Sequence, residues 1–104
     1  MKYLIEIDVS PQAGNELERN KGGPGPVVNR LFETFKPEHA WLATSERKIV
    51  MIMNIDNDAD MGAMMIAAST IAHAYPKFTS VVPAKEFGAV VERAIQKANT
   101  ATTK

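Results

Sequence analysis

The run Lys48-Ile49-Val50-Met51-Ile52-Met53-Asn54-Ile55-Asp56 constrains this chain more than any other stretch, being its longest apolar segment with β-branched character. Such a segment favours a pleated strand. Side chains alternate across a strand, so Ile49, Met51, Met53 and Ile55 share one face, and Val50, Ile52, Asn54 and Asp56 share the other. Both faces begin apolar and need cover, and the second turns polar towards its C-terminal end. A chain of 104 residues suits one domain with one core. A strand covered on both sides in so short a chain needs helices on one side and something else on the other.

Composition narrows the partners. Twelve Lys and Arg balance twelve Asp and Glu, which is not the basic footprint of a nucleic-acid binder. The absence of cysteine removes disulfides, thiolate metal sites and cysteine nucleophiles together. The chain opens on a strand-like pattern rather than a signal peptide. Its longest uncharged stretch, Met61 to Pro76, is too short to span a bilayer. The expectation is a cytoplasmic protein with neither nucleic acid nor membrane as partner.

In chain order, Tyr3, Ile5, Ile7 and Val9 alternate with Lys2, Leu4, Glu6 and Asp8, a strand with one buried face. Ser10-Pro11 ends it. Gln12 to Lys21 lacks a broad apolar stripe and reads as a loop with at most one helical turn. Gly22 to Pro26 follows, and a helix is expected from Pro26 to Lys36 on the stripe Val28, Leu31, Phe32 and Phe35. The glycine-rich run matches neither phosphate-loop pattern, and its prolines lack N–H groups, so a hinge or lid over residues 12–25 is the expectation. His39 to Thr44 and the central strand make a hairpin through Ser45-Glu46-Arg47. Asp58 is the expected N-cap of a helix over Ala59 to Ala74. Its stripe is Met61, Met64, Met65, Ala68, Ile71, Ala72 and Tyr75, and a helix so apolar all round is expected to be covered on more than one side. Lys77 to Val82 is a last strand. Ala84 to Ala98 is a last helix striped by Phe87, Val90, Val91, Ala94, Ile95 and Ala98.

This order predicts an α+β fold of ferredoxin-like βαββαβ type, with an antiparallel four-stranded sheet and an extra C-terminal helix. Residues 1–98 form the single domain and 99–104 a frayed tail. Helices cover one sheet face and leave the other open. By alternation the open face carries Leu4, Glu6 and Asp8 with Val50, Ile52, Asn54 and Asp56, a poor surface for a monomer. Pairing two such sheets, as a homodimer or larger, would bury it.

The first strand Tyr3 to Val9, the Trp41 hairpin, the Asn54 to Asp60 junction and the helix ending at Tyr75-Pro76-Lys77-Phe78 carry a resemblance. In these features the chain resembles the dimeric α/β-barrel superfamily, and in its proportions the muconolactone-isomerase-like members. The resemblance implies a ligand held between the open sheet face and the helices or loops, within each protomer's half of a barrel. It covers cofactor-independent isomerases, small monooxygenases and haem-binding enzymes. No catalytic motif of the family transfers residue by residue, and the glycine-rich loop and last helix depart from the pattern.

On this face Glu6 is the candidate general base, lying mid-strand between Leu4 and Asp8. Asp8, Asn54 and Asp56 are expected to converge with it, or else to sit in solvent at strand ends. His39, at the start of the Trp41 strand, is the candidate proton shuttle. Leu4, Trp41, Val50, Ile52 and Asn54 are the candidate ligand contacts, with Trp41 either stacking on a ligand or packing in the core. The two histidines lie on different elements without ligand spacing, so neither a metal nor another cofactor is expected. His73 pairs with Ser69 on one helix face, but as a packed or interface residue rather than part of a triad. The methionines are adaptable core filling, and Arg30 and Arg47 are expected to be solvated, with an acid group of a ligand as the alternative partner. Two functions stay open. One is a binding or assembly module for a small, partly apolar molecule. The other is a cofactor-independent isomerase or monooxygenase working from the open face.

Overall fold

The computed structural model describes residues 1–103. The central run forms β3 (Lys48–Asn54) in the middle of a four-stranded antiparallel sheet, beside β1 (Lys2–Asp8). The edges are β2 (His39–Leu42) and β4 (Lys77–Ser80), giving the order β2-β3-β1-β4. Helices α1 (Pro11–Arg19) and α2 (Gly25–Phe35) follow β1, α3 (Asp58–Ala72) follows β3, and α4 (Ala84–Thr102) follows β4. This is the ferredoxin-like α+β order with an additional helix after β1 and another at the C-terminal end.

Alternation decides the core. Ile5 and Ile7 of β1 lie beside Met51 and Ile49 of β3, and all four are almost fully buried. Val28 and Leu31 of α2, and Met64, Ala68 and Ala72 of α3, close over them. Small alanines on α3 let that helix approach the sheet, while Met51 and Met64 fill the space between. At the core's edge Tyr3 and Phe78 meet edge to face, with centroids 6.0 Å apart.

Several local expectations need correction. Residues 12–19 are helical, not a loop: Ser10 Oγ accepts from Ala13 N at 3.1 Å, and Pro11 opens α1. The buried stripe Ala13, Gly14 and Leu17 is too narrow and too small to register as periodicity. The glycine-rich segment shrinks accordingly to a short turn between α1 and α2, where Gly22 (φ 87°) and Gly23 (φ 69°) supply left-handed backbone.

At α3 the cap is Asn57, whose Oδ1 accepts from Asp60 N at 2.8 Å, and not Asp58. The helix ends at Ala72 because His73 turns left-handed (φ 54°). That break throws Tyr75 out of phase with the stripe and into solvent, at 74% exposure. The outer side of α3 is also open in the single chain, with Ile66 in solvent.

The last helix runs on to Thr102, beyond the expected end at Ala98. Thr100 and Thr102 hydroxyls donate to the carbonyls of Gln96 and Ala98, one turn back. Lys104, the end of the expected tail, lies outside the described residues.

Candidate functional site

The sheet face away from α2 and α3 is the candidate site, and register assembles it. Trp41, Val50, Glu6 and Lys77 stand side by side across the four strands. His39, Ile52, Leu4 and Thr79 form the adjacent row. Every ligand contact expected from the sequence except Asn54 therefore falls in two neighbouring rows, together with Glu6 and His39. Cross-strand neighbours on one face touch, which makes Leu4, Ile52, Val50 and Trp41 a continuous apolar strip. Trp41 remains 52% exposed and is not a core residue. His39 lies flat against it, with centroids 5.4 Å apart and planes 13° from parallel.

The polar ends of the face separate instead of converging. Because β1 and β3 run antiparallel, Asp8 pairs with Lys48 and Lys2 with Asn54. Glu6 and Asp8 thus lie at the opposite end from Asn54 and Asp56. Of the two alternatives the cluster does not form, since a parallel neighbour would be needed to bring the C-terminal ends of both strands together, and Asp8 and Asp56 sit in solvent at strand ends, as the other held. Asn54 Nδ2 donates to Glu38 Oε1 at 3.0 Å, and Glu38 pairs with Lys2 at 3.0 Å. Asp56 takes the Met1 amine at 2.7 Å.

At the other end Lys48 organises the charge. Its Nζ donates to Glu6 Oε2 at 3.1 Å and lies 3.6 Å from Asp8 and 3.7 Å from Glu46. The Glu6 hydrogen bond, followed by the field of Asp8, raises the Lys48 ammonium above its ordinary range. Glu6 and Lys48 are both about three-quarters covered, at 25% and 24% exposure. Lys48 engages Oε2 of this carboxylate. Lys48 was not among the expected site residues. The signal was there: it precedes Val50 by two positions and so shares its face.

The remaining candidates lie elsewhere. His73 is exposed at the end of α3, with Nε2 3.6 Å from Glu16 Oε2, and Ser69 Oγ donates to the Ile66 carbonyl of its own helix instead of to His73. Arg47 is not simply solvated. It spans α1, donating to Pro11 O, Asn15 Oδ1 and Glu18 Oε1. Beside it a cavity of about 170 Å³ is walled by Val9, Leu17, Val28, Leu42 and Ile49. An apolar cleft of about 330 Å³ lies between α2 and α3, against Leu31, Phe35 and Ile71. Among the described residues no three His, Asp or Glu side chains cluster as a metal site would need. No helix among them is long and apolar enough to cross a membrane.

Comparison of this sequence with protein-family models and with curated proteins gives no match.

Proposed function

We propose that this chain acts as a homodimer in which two open sheet faces meet, forming an α/β barrel that takes up a small, partly apolar molecule. The observation that carries the reading is the strip Leu4, Ile52, Val50 and Trp41, a contiguous apolar patch at the centre of a sheet with polar groups at both ends. Such a patch, rimmed by polar residues, is the usual mark of an interaction surface. A two-fold axis over it would match each strip with its copy and close the assembly. Trp41 and His39 offer the enclosed molecule a stacking platform. Asn54, and Glu6 with Lys48, supply the few polar contacts that fix orientation.

The single tryptophan makes the reading measurable. Sedimentation equilibrium at micromolar concentration is expected to give a dimer, with Trp41 emission shifting to the red on dilution. A fluorescent anilinonaphthalene dye is expected to bind the dimer and quench Trp41. A species that stays monomeric at every concentration, with solvent-exposed tryptophan emission throughout, overturns it.

The three-quarters covered Glu6 carboxylate beside Val50 favours a second reading, a cofactor-independent isomerase or monooxygenase. Glu6 would accept a proton from the ligand, and His39 would relay it. Under that reading Glu6→Gln abolishes turnover and leaves the dimer intact. Under the binding reading it changes dye affinity and assembly little.

A further inference from the structure

Helix α4 is the part of the chain that the ferredoxin-like body does not use. None of its residues is buried. The molecule measures 60 × 28 × 27 Å, with a radius of gyration of 17.2 Å, where a compact chain of this length has about 13 Å. Its 19 residues make a rod about 28 Å long, and that projecting rod accounts for the long axis.

This helix is not polar all round. Phe87, Val90, Val91, Ala94, Ile95 and Ala98 recur at helical spacing on one side, with Phe87 60% and Ile95 54% exposed. Glu92, Arg93 and Gln96 occupy the other side. In proteins most of a helix's stability comes from tertiary packing of an apolar face. The start of the stripe is already directed: Phe87 and Val90 line one cleft with Val81 and Val82, where β4 ends. Val81 follows Thr79 by two residues and donates its N–H to Lys2 O. By alternation Val81 belongs to the open sheet face. Ser80 and Val82, which line the same cleft, alternate to the helix-covered face, so the α4 stripe is rooted at the end of β4, where both faces of the sheet meet, and runs on beyond the body.

We propose that α4 is an arm that crosses onto a second copy of this chain, clasping it as the two open faces meet. This rests on the homodimer reading above and adds to it the surface that holds the dimer together. The occupant follows from area. A rod about 28 Å long and 10 Å across, half embedded, covers roughly 400 Å² of helix surface and a like area of whatever it lies on. Two arms exchanged across a dyad bury about 1,600 Å², the size of a stable protein interface. The exchange is isologous, so it closes at two copies and leaves no free stripe to propagate a filament. Phe87, at the root of the arm, then walls the edge of the enclosed space.

The test is sedimentation equilibrium on the full chain, the double variant Val91→Lys/Ile95→Lys, and Gln96→Lys on the opposite side of α4. Lysine forms helix better than Val or Ile, so lost association in the double variant cannot come from lost helix. The expected result is a dimer for the parent chain and a dissociation constant raised at least about 100-fold in the double variant, at roughly tenfold per large apolar side chain left unburied. Gln96→Lys is expected to stay within about threefold, as a substitution outside the contact does. A parent dimer whose stripe variant associates as tightly removes α4 from the interface while sparing the sheet pairing. A monomeric parent overturns both. Amide hydrogen exchange over residues 87–98 of the parent decides the matter should the double variant fail to fold. Protection that disappears on dilution supports the exchanged arm. Protection independent of concentration, or none at dimer concentrations, overturns it.

Discussion

Arg47 lies across Gly14: a Cβ placed on that glycine would stand 2.5 Å from Arg47 Nη1 and 2.7 Å from its Cδ. The contact explains why a buried position in the middle of α1 is glycine. The guanidinium needs this close approach to reach Pro11 O, Asn15 Oδ1 and Glu18 Oε1 at 2.9–3.1 Å. Replacing a helical glycine by alanine ordinarily stabilises by about 1 kcal/mol. Here it displaces Arg47 and forfeits several exposed hydrogen bonds, each worth roughly 0.5–1 kcal/mol. Gly14→Ala is therefore expected to destabilise the parent by about 1 kcal/mol and to stabilise the Arg47→Ala background by a similar amount. Urea denaturation of the four proteins measures the coupling. Equal effects in both backgrounds would place Arg47 elsewhere.

Lys48 sets a pH dependence with a definite sign. Its folded pKa is raised, chiefly by the Glu6 hydrogen bond and then by Asp8. The folded state therefore holds this proton more tightly than the unfolded state. The stabilisation is fully present below the unfolded value of about 10.4, and it is lost as pH rises through the higher folded value. The stability difference between the parent and Lys48→Met is expected to be constant near pH 8–9 and to shrink above about pH 10.4. A difference that grows across that alkaline range contradicts the Lys48–Glu6 bond.

The cap of α3 offers a direct comparison of neighbours. Asn57 accepts from Asp60 N at 2.8 Å and donates from Nδ2 to Asp60 Oδ2 at 2.9 Å. Asn57→Ala is expected to cost about 1 kcal/mol. Asp58→Ala loses only a favourable charge at the helix start, about 0.3–0.5 kcal/mol. Thermal unfolding ranks the two, and a larger loss at Asp58 would show that the cap lies one residue later.

Core volume makes the fourth comparison. Met51 is fully buried between sheet and helices, so Met51→Ala is expected to cost about 2–5 kcal/mol. Met51→Leu nearly conserves volume and is expected to cost less than about 1.5 kcal/mol. Comparable losses for both would mean that the site demands the methionine shape and not merely its bulk.

The sequence by itself determined the strands, the two helices with broad stripes that cover the sheet, and which residues share a face. Hydrophobic periodicity is a local property, and β3 and α2 display it over whole elements. It also put Leu4, Glu6, Val50 and Ile52 on one face, whereas whether Trp41 joined them or packed in the core was decided only by the register of β2 against β3.

Only the tertiary structure decided which ends of that face meet. Antiparallel pairing sends Glu6 and Asp8 to Lys48, and Asn54 to Lys2, a relation between residues forty or more positions apart that no local pattern carries. It likewise made a helix of residues 11–19. The stripe Ala13, Gly14 and Leu17 is too slight to signal itself, and its stability comes from Ser10 capping one end and Arg47 reaching in from the hairpin loop. For α4 the division falls the other way. Its apolar stripe is plain in the sequence, but only the fold reveals that, past the cleft Phe87 and Val90 share with Val81 and Val82, the stripe leaves the body of its own chain.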